Sequence, residues 1–370
     1  MKRILSLLLL TAALATPALA ERYEGRPLIQ LAILLDTSNS MDGLINQAKS
    51  QLWKIVSETG KTRYQGQIPV LEVALYEYGN DGLSMFGGYI RNVAPFTRDL
   101  DYISQNLFQL TTNGGSEYCG LVLRKANREL DWDRDPRTLK LVFIAGNEPF
   151  TQGPVDYISA ANESARKDVT VNTIFCGDRQ EGINTGWQHG AFITGGSYMN
   201  INSDYAYGYI QAPQDDRIEE LNRRLNETYL GYGAEGEEKK ALQAQQDSNA
   251  GTMNRSSLLE RAKVKSSASY SNEEWDLVDA YEQGKVDIDD VKSSELPAQM
   301  RDMSEDEREL FVKEKLEERK AIQQEIETLS TEREAYVQEQ LSSENNSEAL
   351  DTAVIDALHK AAEKKGFELE

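Results

Sequence analysis

Residues 28–43 read LIQLAILLDTSNSMDG. The first eight are apolar except Gln30 and do not alternate, as expected of a strand buried on both faces in a parallel sheet. The run stops at Asp36, and Thr37, Ser38, Asn39 and Ser40 then line up hydroxyl and amide oxygens. Two readings are open. Such residues turn chains and cap helices, here the one whose spacing (Leu44, Ala48, Leu52, Ile55) predicts a helix over 41–58. Alternatively, they gather oxygens around a cation.

Outward from this stretch, strand and helix signals alternate. VLEVALYEY (70–78), TLKLVFIA (138–145), VTVNTIF (169–175) and SYMNI (197–201) read as strands, with 87–96 as a neighbour of the first. Helical spacing falls at 99–107, 117–130, 155–167, 187–194 and 217–229. The alternation predicts an α/β fold with an open, mainly parallel, doubly wound sheet. Ligands of such sheets bind outside the carboxyl ends of the strands, and Asp36 stands at one of them.

The remainder of the chain differs in kind. Of 61 Asp and Glu and 40 Lys and Arg, the part after residue 230 holds the greater share of the excess acid. Residues 231–251 read as a polar linker and 252–370 as an acidic helical region, with helices expected at 275–281, 304–341 and 351–365. Arg319 and Arg333 interrupt the apolar spacing of the long helix, which argues against a sustained coiled coil and for a packed or partner-binding helix. At the other end, Lys2 and Arg3 precede an apolar run that closes on Ala18-Leu19-Ala20. This predicts an export signal cleaved after Ala20, a periplasmic or secreted product, and no stable membrane insertion after cleavage. The formal charge of −21 repels phosphate backbones and anionic lipid, which disfavours nucleic acid and suits divalent cations.

Together these stretches resemble the von Willebrand factor type A (VWA) domain over residues 28–230. LAILLDTSNSM resembles the first motif of that family's metal-ion-dependent adhesion site, TTNGGSEYCGLVLRKA (111–126) the second, and LVFIAGNEPF (141–150) occupies the place of the third. TVNTIFCGD (170–178) and GAFITGGSYMNI (190–201) match the later strands. The resemblance implies a domain over 21–230 that holds Mg²⁺, or Ca²⁺ or Mn²⁺, and binds a protein partner through it. Asp36, Ser38 and Ser40 match the first motif residue by residue. The second departs from the pattern: Glu117 stands where the family has Thr, with Ser116 as the nearby alternative. The third departs further, because Gly146 replaces the family's Asp and only Asn147 and Glu148 offer oxygens nearby. Asp36 and Glu117 would already neutralise a divalent ion, weakening its pull on a partner's carboxylate.

Other features read less specifically. Cys119 and Cys176 are the only cysteines. In an oxidising compartment they have an obvious use in each other, and the resemblance sets both towards the metal-bearing face; two separate buried thiols are the alternative. His189 and His359, the loop acids Asp178 and Glu181, and the tyrosine-rich run 204–209 are candidates without a motif. The leading functional expectation is an exported binding module, not an enzyme. The alternatives are an assembly factor acting through its C-terminal helices and, last, a metal-assisted hydrolase, for which no nucleophile or base motif appears.

Overall fold

The computed structural model describes residues 25–42, 44–201, 209–343 and 350–369. The expected export signal at 1–20 and residues 204–208 of the tyrosine-rich run lie outside the described residues. The central strand is β1 (Leu28–Asp36), and all nine of its residues are buried. It pairs in parallel with β3 (Val70–Tyr78) on one side and β5 (Leu139–Gly146) on the other. Beyond β5 come β6 (Thr170–Cys176) and β7 (Tyr198–Ile201), also parallel. Beyond β3 lies β4 (Ile90–Thr97), the one antiparallel strand of the six-stranded sheet β4-β3-β1-β5-β6-β7. The expected fold class is thus observed.

Alternation within β1 divides the core. Leu31, Ile33 and Leu35 enter one apolar cluster, and Ala32 and Leu34 the other. The second cluster is closed by α3 (Cys119–Glu129), α4 (Tyr157–Arg166) and Trp187 of α6 (Trp187–Ile193). The first is closed by α1 (Ile45–Thr59), α2 (Leu100–Gln109) and α7 (Asp215–Glu227). It also takes in Leu259 and Ala262 of α9 (Arg255–Ser266), Ile322 and Ile326 of α11 (Glu305–Ser343), and Val354 and Leu358 of α12 (Leu350–Glu363). The acidic helical region therefore packs on the sheet and shares its core. The final strand β8 (Phe367–Leu369) pairs antiparallel with β2 (Thr62–Tyr64), pinning the end of the chain beside α1.

Residues 236–253, covering most of the expected polar linker at 231–251 and running two residues beyond it, form the helix α8. Its buried positions are mostly Gln243, Gln246 and Asp247 rather than an apolar stripe, so hydropathy had no periodicity to show. Ion pairs hold it instead. The fully buried Arg261 joins Asp247 (Nε–Oδ1 2.6 Å) to Asp101 of α2 (Nη2–Oδ1 2.5 Å), and Lys265 meets Asp247 Oδ2 at 2.7 Å. Arg319 and Arg333, the breaks in the apolar pattern, are further fasteners. Arg319 pairs with Asp276 and Asp279 around α10 (Leu277–Glu282) and lies 4.1 Å over the Tyr229 ring. Arg333 Nε reaches Asp215 Oδ1 at 2.7 Å.

Candidate metal centre at the strand ends

The register sets Asp36 of β1 opposite Tyr78 of β3 and brings Gly146 of β5 close to its carboxylate. The chain turns at once: Ser38 N–H donates to Asp36 Oδ1 (2.8 Å). Helix capping does not use the next oxygens along the chain. A short 3-10 turn, Asn39–Met41, intervenes, and α1 begins after Leu44 with no side-chain cap. The hydroxyls instead face one another and the next strand end. Ser38 Oγ lies 2.8 Å from Ser40 Oγ, and Ser40 Oγ donates to Asn147 Oδ1 at 2.9 Å.

Glu117 arrives from the loop before α3, its amide held by Gln152 Oε1 (2.8 Å), and Ser38 lies near enough to its carboxyl to lower its pKa. Ser116 is half-buried one residue earlier. A Cβ placed on Gly79 would lie 2.6 Å from Asp36 Oδ1 and 2.7 Å from Glu117 Cγ. Only the missing side chain lets the two acids share this space, and the positive φ of Gly79 (+80°) suits glycine independently. The loop carrying Glu117 is tied down by Asn113 N to Thr37 O (3.0 Å) and Asp81 N to Gly114 O (2.5 Å).

The acids meet at a high electrostatic cost. Burial pushes Asp36 up to about 7, against the lowering influence of Ser38 and of the nearby Asn147 amide, and the Glu148 charge adds to the rise. Burial also pushes Glu117 up to about 8, helped by the charges of Asp36 and Glu148. Asp36 Oδ2 is buried and has no hydrogen-bond partner. An orphaned carboxylate oxygen, a second carboxylate and two hydroxyls form an all-oxygen donor set suited to a hard divalent cation. Among the described residues no group of three or more His, Cys, Asp and Glu is arranged to hold a metal. The hydroxyls are therefore integral to this set.

The third motif position has been filled from across the sheet. A Cβ on Gly146 would come 2.4 Å from Tyr78 Oη and 3.1 Å from Asp36 Oδ2, and Tyr78 Oη donates to Ala145 O (2.9 Å). With Tyr78 in place an aspartate does not fit. Tyr78, Gly79 and Gln152 escaped the sequence reading; the signal for the first two was their place at a strand's carboxyl end, in VLEVALYEYGN.

This sheet order, with DTSNS at the end of its central strand, decides the fold. It is the strand order of the von Willebrand factor type A fold, which the sequence resemblance implied. No family model matches the chain, and no curated protein does. Among solved structures it is similar to the conserved hypothetical protein BatB from Bacteroides thetaiotaomicron (17% identity, TM-score 0.36, 47% of this chain and 90% of that one). It is also similar to the SpRpn10 VWA domain (14%, 0.37, 48% and 89%). A third likeness is to proximal thread matrix protein 1 from the mussel byssus, with a zinc-occupied MIDAS motif (14%, 0.36, 49% and 43%).

The remaining candidates lie apart from the cluster. Cys119 and Cys176 are both buried free thiols. They belong to apolar clusters on opposite faces of the sheet, so the strands lie between them and the expected bridge is not formed. His189 Nδ1 is 2.9 Å from Tyr157 Oη, joining α6 to α4. Asp178 caps the short helix α5 (Arg179–Asn184) through Glu181 N (2.9 Å).

Proposed function

We propose that the chain is an exported protein-binding module whose strand-end face is organised by a divalent cation, Mg²⁺ or its close relatives Ca²⁺ and Mn²⁺. Asp36, Ser38, Ser40 and Glu117 would hold it, with Asn147 and Glu148 alongside. The observation behind this reading is the buried, unpartnered Asp36 Oδ2 beside a second carboxylate. A bound cation supplies the counter-charge that these acids otherwise lack and fixes three loops relative to one another. Binding rather than hydrolysis is the chemistry that the residues favour, since His189 bonds Tyr157 on another part of the domain. The C-terminal helices, packed on the sheet through buried ion pairs, serve this reading as scaffold rather than as a free arm. Export rests on the sequence pattern of residues 1–20, and no helix among the described residues is long and apolar enough to cross a membrane.

The test is affinity capture from a cell envelope with wild-type and Asp36→Ala protein, each in Mg²⁺ and in EDTA. Partners should be retained only by the wild type in Mg²⁺. The same partners in all four captures would overturn the reading.

A further inference from the structure

Beyond the cation centre, the strand-end face has a charge and a shape that select a partner. Five loops make up its described part: 37–44, 79–89, 110–118, 147–156 and 177–186. Apart from Asp36 and Glu117, their described residues carry six carboxylates: Asp42, Asp81, Glu148, Asp156, Asp178 and Glu181. Against these stands one cation, Arg179, whose guanidinium lies 5.8 Å over the Tyr198 ring. Arg91, at the start of β4 beside the face, is held by Glu77 Oε2 at 2.6 Å. A divalent ion would neutralise the Asp36–Glu117 pair and leave the surrounding acid in place.

The same face carries an apolar prong. Met85 is 63% and Phe86 97% exposed at the tip of the β3–β4 loop. The loop beneath them is fixed. Gly79 N donates to Tyr89 O (3.0 Å), and Asn80 caps Gly82 N (2.8 Å) while reaching Thr111 O (3.0 Å). The Asp81 amide ties the same loop to the one carrying Glu117. A bare aromatic ring on so well fastened a loop presents apolar surface that association would bury.

We infer that the strand-end face takes a basic protein segment, with lysine or arginine side chains among the rim acids and an apolar residue against Phe86, rather than a ligand that presents a carboxylate to the cation. Charge complementarity argues for this occupant, and an aromatic face accepts a cationic side chain as readily as an apolar one. The exposed Met85 and Phe86 beside the rim acids are a second observation, apart from charge, that this face is built to be covered. The inference rests on the cation reading, which leaves only the rim to choose the partner.

Two labelled peptides of equal length and leucine content, one lysine-rich and one glutamate-rich, test it by fluorescence anisotropy against the full chain in Mg²⁺. The lysine peptide should bind at least ~10-fold tighter and weaken as salt rises. Asp81→Lys with Glu181→Lys, both exposed positions, should cost ~10-fold. Glu314→Lys with Glu317→Lys, an equal charge change on exposed positions of α11, should cost little. Phe86→Ser should weaken binding with the salt dependence unchanged. Preference for the glutamate peptide, or equal losses from the two charge reversals, overturns the inference. Calorimetry with Mg²⁺ alone reads the centre separately. No uptake sinks the cation reading, whereas uptake without preference for the lysine peptide sinks only this inference.

Discussion

Replacing Asp36 by Asn should change stability in opposite directions depending on whether a divalent cation is present. In the folded chain the carboxyl is pushed from its ordinary 3.8 up to about 7, chiefly by burial. The native state therefore holds this proton more tightly than the unfolded chain does. Its contribution to stability is complete at pH values below 3.8 and is lost as pH rises through about 7. The full displacement is equivalent to ~4 kcal/mol against the ionised form, and relaxation with water entry reduces it to about 1–3 kcal/mol. Asn keeps the shape and an acceptor for Ser38 N–H without the charge. In EDTA near pH ~8, Asp36→Asn should thus gain about 1–3 kcal/mol in urea unfolding, and the gain should shrink on acidification as the wild-type carboxyl takes up its proton. In Mg²⁺ the order reverses. The wild type gains ~2.7 kcal/mol at a hundredfold excess of ion over its dissociation constant, and the variant, lacking one anionic ligand, gains far less. Equal destabilisation of Asp36→Asn in both media, with no dependence on pH, would refute the electrostatic account of this centre.

Two further outcomes are expected from the packing. Arg261→Met leaves Asp101 and Asp247 buried with fewer partners and should cost about 3–5 kcal/mol, with most of the loss recovered by adding Asp101→Asn. Urea titrations followed at the tryptophans should show one cooperative transition, and a separate early transition of the C-terminal helices would contradict the shared core. Gly79→Ala sets a methyl within 2.7 Å of both acids and strains a left-handed residue by roughly 1–2 kcal/mol. Calorimetry should show weakened Mg²⁺ uptake, and unchanged uptake would mean that the two carboxylates do not act together.

The sheet was legible because its strands announce themselves twice, by unbroken apolar runs and by the polar turn residues that close each run. LIQLAILL ends in DTSNS, TLKLVFIA in Gly-Asn-Glu and VTVNTIF in Cys-Gly-Asp, so the sequence marks the carboxyl ends as well as the strands. The cluster of Asp36, Ser38, Ser40, Glu117 and Asn147 was readable for the same reason: each member comes just after a strand end or opens a helix at that end. The place of Tyr78 at a strand end was readable, but its role was not. Tyr78 closes the third ligand position by reaching across β1 towards β5, a contact between strands more than sixty residues apart that no local pattern records. The cysteine pairing failed on a similar point. Both residues lie towards the carboxyl-end side of the sheet, but strand alternation sends Cys176 to one face while α3 keeps Cys119 on the other.

The C-terminal half shows a different limit. Helices that bury charge in pairs leave no apolar period, so α8 reads as solvated and α11 as interrupted. Arg319 and Arg333 break the spacing of α11 because they are themselves the packed positions: each is buried or nearly so against an aspartate from a helix or turn earlier in the chain. The acidic excess of this region is therefore partly structural, since Asp247, Asp276 and Asp279 are committed to internal cations. At the strand ends the case is the reverse. Asp36 and Glu117 are buried together with no lysine or arginine paired to either among the described residues. Several other buried acids among the described residues are matched with arginine or lysine, as at Asp101, Asp247 and Asp276. A buried acid pair left without one must hold a proton or take its counter-charge from outside the chain, and the proposed cation is the second of these.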